Sequence, residues 1–193
     1  MKCKARLILV LGVWLLMFFF DVGAAAEKRR HDAHVHGVAE INIAVEGTKA
    51  TVEFRAPAES IMGFEHEAKS ESDRKKRDAA LEQLRTKKDQ MILFDAKLGC
   101  KSSDVKTAIV EQKGDDTKAQ SGKDAQKDQK KSGEHREVYG TFSVACDKPL
   151  GGSRVRFGVS KVFRDIQEIN VQVVGDSGQS GATIKRDKGD IKL

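Results

Sequence analysis

The chain has 193 residues, of which 39% are hydrophobic and 33% charged, and its formal net charge is +6. This length accommodates one ordinary domain beside a targeting segment, and the positive charge is mild. These values exclude a multidomain machine, a polytopic membrane protein and a histone-like protein. The sequence lacks both the aromatic platform and the concentrated basic stripe that are typical of nucleic-acid-binding proteins.

Residues 1–26 show the three-part pattern of a secretory signal peptide. Three cations precede an apolar run over residues 7–20, and small residues follow through Ala26. The apolar run is shorter than the roughly 20 residues that span a membrane. We therefore expect cleavage after Ala26, which leaves residues 27–193 as a single exported domain without stable membrane insertion.

Residues 38–54 predict a β-hairpin. Apolar and polar residues alternate on both sides of Gly47, and glycine in the first position of a two-residue loop suits a type II′ turn. Because side chains alternate between the two faces of a strand, the apolar residues should share one face. The expected opposite pairs are Val45 with Ala50, Ile43 with Val52, Ile41 with Phe54, and Glu40 with Arg55.

Helical and extended segments are expected to alternate after the hairpin. Pro57 ends its second strand, and a short turn or helix follows. Ser70 predicts the start of a longer helix that continues to about Lys87. Strands are expected near residues 99–111 and 137–146.

The C-terminal part predicts a strand through Val155, an amphipathic helix, and two further strands through Val171 and Ile184. The helix is indicated by apolar residues at spacings of three and four, which are Val159, Val162, Phe163, Ile166 and Ile169. Hairpin strands interrupted by two or three packed helices indicate an α+β domain with a mostly antiparallel sheet.

Two cysteines, Cys100 and Cys146, bracket an insert over residues 113–133 that is rich in Lys, Asp and Gln. The insert has no apolar residue larger than alanine, so we expect it to be disordered within the domain. Cys3 lies in the expected signal peptide, and an even pair in an exported protein is most simply a disulfide worth roughly 4 kcal/mol. A redox or metal-thiolate pair is the alternative.

Histidines cluster before the hairpin as His31, His34 and His36, and His66 lies next to Glu67 after it. If the first strand extends backward, His34 and His36 share a face and lie about 6.6 Å apart along it. Two such imidazoles can converge on one zinc ion, with His66 or one of its flanking glutamates as a third ligand. The alternatives are solvated histidines in a frayed terminus, and Cu²⁺ or Ni²⁺ in place of Zn²⁺.

The HVHGVAEINIAVEG stretch and the GFEH motif resemble the ZrgA-type family of periplasmic zinc-binding proteins. Two later cysteines around a low-complexity insert extend the resemblance over nearly all of residues 31–193. The resemblance implies a protein in the periplasm of a Gram-negative bacterium that holds or delivers Zn²⁺ for uptake, together with an envelope metal transporter. The residues that match its motifs are His34, His36 and His66, with Glu67 adjacent.

The insert departs from the family pattern, in which it is often rich in His, Asp and Glu. Here it carries Lys, Asp and Gln, with His135 at its edge. Because a protonated lysine has no lone pair for a metal, we expect about one zinc ion per chain rather than a high-capacity chelating loop.

No catalytic motif accompanies the histidines, since the sequence has no HExxH, no G-x-S-x-G and no phosphate-binding glycine loop. We therefore expect a binding protein and not an enzyme. The alternative function is a non-metal interaction module of the envelope, or an accessory subunit of a transporter, in which the histidines are incidental.

Overall fold

Ten strands and three α-helices form the part of the chain that the computed structural model describes, residues 36–112, 135–176 and 178–193. The strands are β1 Val38–Glu46, β2 Lys49–Pro57, β3 Ile92–Phe94, β4 Lys101–Ser102, β5 Lys106–Gln112, β6 His135–Ala145, β7 Arg154–Phe157, β8 Glu168–Gly175, β9 Gly178–Lys185 and β10 Asp190–Lys192. The helices are α1 Ala58–Met62, α2 Glu71–Met91 and α3 Val159–Val162. The predicted signal peptide, the predicted insert, His31 and His34 lie outside the described residues.

A seven-stranded sheet is the centre of the fold. Its order is β4–β6–β2–β1–β8–β9, and β5 also pairs with β6. Strands β1 and β8 are parallel, whereas the other pairs in this sheet are antiparallel. A second, three-stranded antiparallel sheet has the order β10–β7–β3. The predicted α+β class with a mostly antiparallel sheet is confirmed.

The predicted hairpin register is confirmed, with Ile43 opposite Val52 and the other three expected pairs also in place. Gly47 occupies the first loop position with a left-handed φ of +56°. On β2, Val52 is buried while its neighbours Thr51 and Glu53 are exposed. One face of the sheet therefore packs into the core, and the other face is polar.

The apolar face of the sheet is covered by helix α2 and by the segment that follows α3. Leu84 of α2 lies against Gly140 of β6, where an added Cβ would be 3.0 Å from the Leu84 Cδ2 atom. Phe54 of β2 stacks on Phe163 with ring centroids 6.3 Å apart. Both phenylalanines are almost fully buried, so their contact packs the segment after α3 against the apolar face of the sheet.

The predicted start of α2 is confirmed. The Ser70 side chain accepts a hydrogen bond from the backbone N–H of Asp73, as an N-cap residue does. The helix ends at Met91, four residues beyond the predicted Lys87. In the described ranges, every helix is too short or too polar to cross a bilayer.

The predicted C-terminal amphipathic helix is wrong beyond its first turn. Helix α3 ends at Val162, Phe163 is extended, and Ile169 lies in β8 opposite Ala39. Parallel pairing with β1 requires an extended backbone in β8, which overrides the local helical pattern. A turn after α3 buries Phe163 and Ile166, so these apolar residues reach the core without a longer helix.

Cys100 and Cys146 form the predicted disulfide. Cys100 follows a 3₁₀ turn at Ala96–Leu98, and Cys146 directly follows the last residue of β6, so the bond joins these two segments. The backbone N–H of Asp147 donates to the Leu98 carbonyl across the same junction, at 2.9 Å. Because both sulfurs are bonded to each other, this pair offers no thiolate to a metal.

Two adjacent valines of β8 test which face of the sheet carries its stability. Val173 is 3% exposed and Val174 is 52% exposed. We expect Val173→Ala to lower the free energy of unfolding by about 2 kcal/mol, because it removes buried methyl groups and leaves a cavity. Val174→Ala should change it by less than about 0.5 kcal/mol. Chemical denaturation of the two variants measures the difference, and equal losses would contradict the assignment of the faces.

Candidate metal site

The chain turns at Gly37 immediately before β1, which places His36 outside the strand. Strand β1 begins at Val38, and Gly37 has a left-handed backbone with φ of +81°. A Cβ at Gly37 would lie 3.0 Å from the carbonyl oxygen of Asp165, so both the tight contact and the left-handed backbone disfavour a side chain here. The condition for pairing His34 with His36 on one strand face, that β1 extends backward through His36, is therefore not met.

One hydrogen bond ties this turn to helix α1. The Gly37 N–H donates to the Ser60 Oγ atom at 3.0 Å, and Ser60 is buried. His36 precedes Gly37 and Glu59 precedes Ser60, so the bond brings the two preceding side chains together. The His36 Nδ1 atom lies 2.9 Å from the Glu59 Oε2 atom, and the two side chains remain 63% and 52% exposed.

Glu65 joins this pair from the other end of α1. The helix ends at Met62, and the left-handed conformation of the following Gly63 lets its N–H donate to the Glu59 carbonyl at 2.8 Å. Phe64 then packs into the core, and Glu65 follows it. One ligand atom each from His36, Glu59 and Glu65 lie within 4.8 Å of one another. We call these three residues the His36 cluster.

The donor set of the His36 cluster suits a borderline divalent cation such as Zn²⁺. Zinc binds imidazole nitrogen at about 2.0–2.1 Å and carboxylate oxygen at about 2.0–2.2 Å, usually in a tetrahedron. Two donor atoms on such a tetrahedron lie about 3.3 Å apart, close to the 2.9 Å between His36 and Glu59. The two carboxylates would also neutralise the charge of the ion, and one position would remain for a further donor.

His135, the first residue of β6, lies beside the His36 cluster. Its Nδ1 atom is 3.1 Å from the Glu65 Oε2 atom. Sheet register explains this proximity, because Glu137 of β6 lies opposite Pro57, the residue that precedes α1. The beginning of β6 and helix α1 therefore meet at one end of the sheet.

His66 and Glu67, which the sequence predicts as ligands, lie at a different position. The His66 Nε2 atom is 3.3 Å from Asp73 Oδ2, and Glu67 pairs with Lys69 at 3.2 Å. The Ser70 hydroxyl lowers the pKa of the Asp73 carboxyl, and the contact with His66 lowers it further. The described residues do not bring His66 to the His36 cluster, and ligand roles for His66 and Glu67 stay predictions.

A buried carboxylate follows His135 on β6. Glu137 is 1% exposed, and its Oε2 atom accepts hydrogen bonds from Arg55 Nε at 2.6 Å and from the Tyr139 hydroxyl at 2.7 Å. Burial by itself would lower the pKa of Arg55, but the hydrogen bond and charge of Glu137 raise it above its ordinary value. The network fixes the start of β6 against β2, since a buried charge requires such partners.

Sequence reasoning found His36 and included Glu65 as one of the two glutamates that flank His66, although Glu67 was the one named as a candidate ligand. It did not identify Glu59. The signal for Glu59 is topological. Strand β2 runs antiparallel to β1, so the residues after Pro57 return to the start of β1, where His36 lies.

A family model described as ZrgA family zinc uptake protein matches residues 33–193 of the chain. A search of curated proteins finds no match. The family match covers all the described residues, including each member of the His36 cluster and His135.

Two glycines with nearly equal φ angles test the turn that positions His36. Gly37 has φ of +81° and Gly152 has φ of +80°, but only at Gly37 would a Cβ meet a neighbouring atom. We expect Gly152→Ala to lower the free energy of unfolding by about 1–2 kcal/mol through backbone strain. Gly37→Ala should cost more, because the contact with Asp165 is added to the same strain. Denaturation curves of both variants provide the comparison, and a smaller loss at Gly37 would refute the contact.

Tyr139 gives a direct optical test of the buried network, because it is the single tyrosine of the chain. The pKa of Tyr139 is raised to about 12, mainly by burial, and further by its hydrogen bond to Glu137 and by the negative charge of that carboxylate. The ordinary pKa of a tyrosine is about 10. Because folding raises this pKa, the neutral phenol contributes its full stabilisation below pH about 10, and this stabilisation is lost as the pH rises through about 12. Ultraviolet titration of the folded protein should show the higher midpoint, and Glu137→Gln should lower it. A midpoint in the folded protein equal to that of the denatured protein would contradict the network.

Proposed function

Because the chain belongs to the ZrgA family of zinc uptake proteins, we propose that it binds Zn²⁺ in the periplasm and holds or delivers it for an uptake system. The observation that carries the proposal is the His36 cluster, in which an imidazole and two carboxylates come within 4.8 Å of one another. The ion is cargo in this proposal, and the protein binds it without catalysis.

The exposure of the cluster favours reversible binding. Structural zinc sites are closed by four protein ligands, whereas sites that exchange a group keep an open position. His36 and Glu59 are both more than half exposed, so an acceptor can approach the ion from solvent. Such a site suits a protein that takes up an ion and gives it away, and the receiving partner in this proposal is an envelope metal transporter.

The fixed backbone around the cluster supports binding without a large rearrangement. The Gly37–Ser60 hydrogen bond holds His36 and Glu59 together, and the Gly63 turn returns the chain to Glu65. Preorganised donors lose less conformational freedom when the ion binds, which raises affinity. We expect one zinc ion per chain at this site.

Export supports the same proposal. The Cys100–Cys146 disulfide is consistent with an oxidising compartment such as the periplasm. Imidazole and carboxylate donors also accept Cu²⁺ and Ni²⁺, and Cu²⁺ has the higher intrinsic affinity. Zinc is chosen here because the family is one of zinc uptake proteins.

The proposal leaves His66 and Glu67 outside the site, since His66 contacts Asp73 and Glu67 contacts Lys69. His31 and His34 lie outside the described residues, and their participation stays a prediction of the sequence analysis.

Zinc titration against a competing chelator tests the proposal. His36→Ala and Glu65→Gln should each weaken Zn²⁺ binding about 100-fold or more, because each removes a donor from the ion. His66→Ala is the matched control, as its imidazole is equally exposed and also faces a carboxylate. We expect this control to bind zinc as the wild type does, at one ion per chain.

The outcomes separate the alternatives. Loss of binding in His66→Ala but not in His36→Ala would move the site to the GFEH motif. Absence of binding in the wild-type protein would refute metal handling and favour an interaction module of the envelope. Circular dichroism of each variant shows whether a loss of binding comes from a loss of the fold.

A further inference from the structure

We infer that two copies of the chain associate through the outer edge of β9, which joins their seven-stranded sheets into one continuous sheet. The inference is independent of the proposed zinc site, because the residues that carry it do not belong to the His36 cluster. It rests on the backbone of β9 and on the charged residues at the two ends of this strand.

Strand β9 forms one edge of the large sheet. It pairs with β8 along its whole length and with no other strand in the described ranges. Successive residues of an antiparallel strand direct their backbone N–H and C=O groups alternately to its two sides, so half of these groups in β9 point away from β8. Such an edge is a template for one further strand.

The composition of β9 leaves this edge without the usual protection against pairing. Residues 178–184 contain no charge and no proline, and most of them are exposed. At the opposite edge, β5 carries Lys106 and Glu111, and its Thr107 accepts a hydrogen bond from Arg85 of α2 at 2.9 Å. Charges and covering side chains of this kind block strand addition. Of these two edges, β9 is therefore the one that is open to a further strand.

The charges at the two ends of β9 select an antiparallel second copy as its partner. Asp176 lies just before the strand and Arg186 just after it, and both are exposed. Neither forms an ion pair with another residue of the described ranges. Antiparallel pairing brings the acidic start of one β9 against the cationic end of the other, and two-fold symmetry makes this contact twice. Parallel pairing would place like charges together.

Symmetry also restricts the register of the two strands. Opposite residues in a sheet share a face, and faces alternate along a strand, so the two members of a symmetric pair must be separated by an even number of positions. Placing Gly181 of both copies on the two-fold axis meets this condition. Gly178 then lies opposite Ile184, and Asp176 lies opposite Arg186.

Charge exchange tests the pairing, with sedimentation equilibrium over a range of protein concentrations as the measurement. We expect a reversible dimer for the wild-type protein. Asp176→Lys and Arg186→Asp should each weaken dimerisation about 10-fold, because each places like charges opposite one another. Aspartate is also among the residues that tolerate the left-handed backbone of position 186. The double variant exchanges the two charges and should recover the wild-type dissociation constant.

A disulfide across the axis tests the register. Opposite residues have Cβ atoms about 4.5–5.5 Å apart, so Gly181→Cys should form a cross-linked dimer under oxidising conditions. Ala108→Cys is the matched control, because it is exposed on β5 at the other edge of the sheet. The native cysteines are bonded to each other and do not interfere. We expect the control to remain monomeric on a non-reducing gel.

Three results would overturn the inference. A wild-type protein that remains monomeric up to about 1 mM would show that β9 does not bind a second copy, and would leave the edge to a strand of another protein. Failure of the double variant to recover dimerisation, with folding verified by circular dichroism, would refute the antiparallel charge contact. Equal cross-linking of Gly181→Cys and Ala108→Cys would indicate random collision. Zinc binding in the wild-type protein decides the proposed function separately.

Discussion

The burial of one face of the seven-stranded sheet is the constraint on which the other features depend. Side chains of a strand alternate between its faces, so a shift of one residue in any pairing would exchange the apolar and polar sets. The observed registers across β6, β2, β1 and β8 place the apolar set of every strand on the same side. Helix α2 and the segment after α3 then cover that side, and the polar side is open to solvent except at buried Glu137.

The same registers determine where the candidate site forms. Strand β1 starts, β2 ends and β6 starts at one end of the sheet, because β2 is antiparallel to both neighbours. His36 lies just before β1, helix α1 follows β2, and His135 is the first residue of β6. A metal ion at this end would connect segments that are distant in sequence, and its binding should stabilise the fold by an amount that grows with the logarithm of its affinity.

Prediction from sequence succeeded where one local pattern has one structural solution. The alternation around Gly47 specified the hairpin and its register, because a two-residue loop with glycine first permits one pairing. Ser70 specified the start of α2 through its side-chain cap. It failed for the segment from Val159 to Ile169, where apolar spacing suits both a helix and a turn followed by a strand. Pairing of β8 with β1 decides between them, and a parallel partner is not visible in the local sequence.

The candidate site was only partly predictable for a related reason. Histidine clustering pointed to His36, and the glutamates around His66 were recognised as possible donors. The convergence of Glu59 and Glu65 on His36 depends on the partly buried Gly37–Ser60 hydrogen bond and on the left-handed turn at Gly63. Both are contacts of the folded chain, and neither has a motif of its own.

The most direct test of this account is a crystal structure of the zinc-loaded protein, with the ion located by its anomalous scattering. The account predicts one strong peak at bonding distance, about 2.0–2.2 Å, from a His36 nitrogen and from carboxylate oxygens of Glu59 and Glu65. A peak at His66 and Asp73, with none at His36, would contradict it.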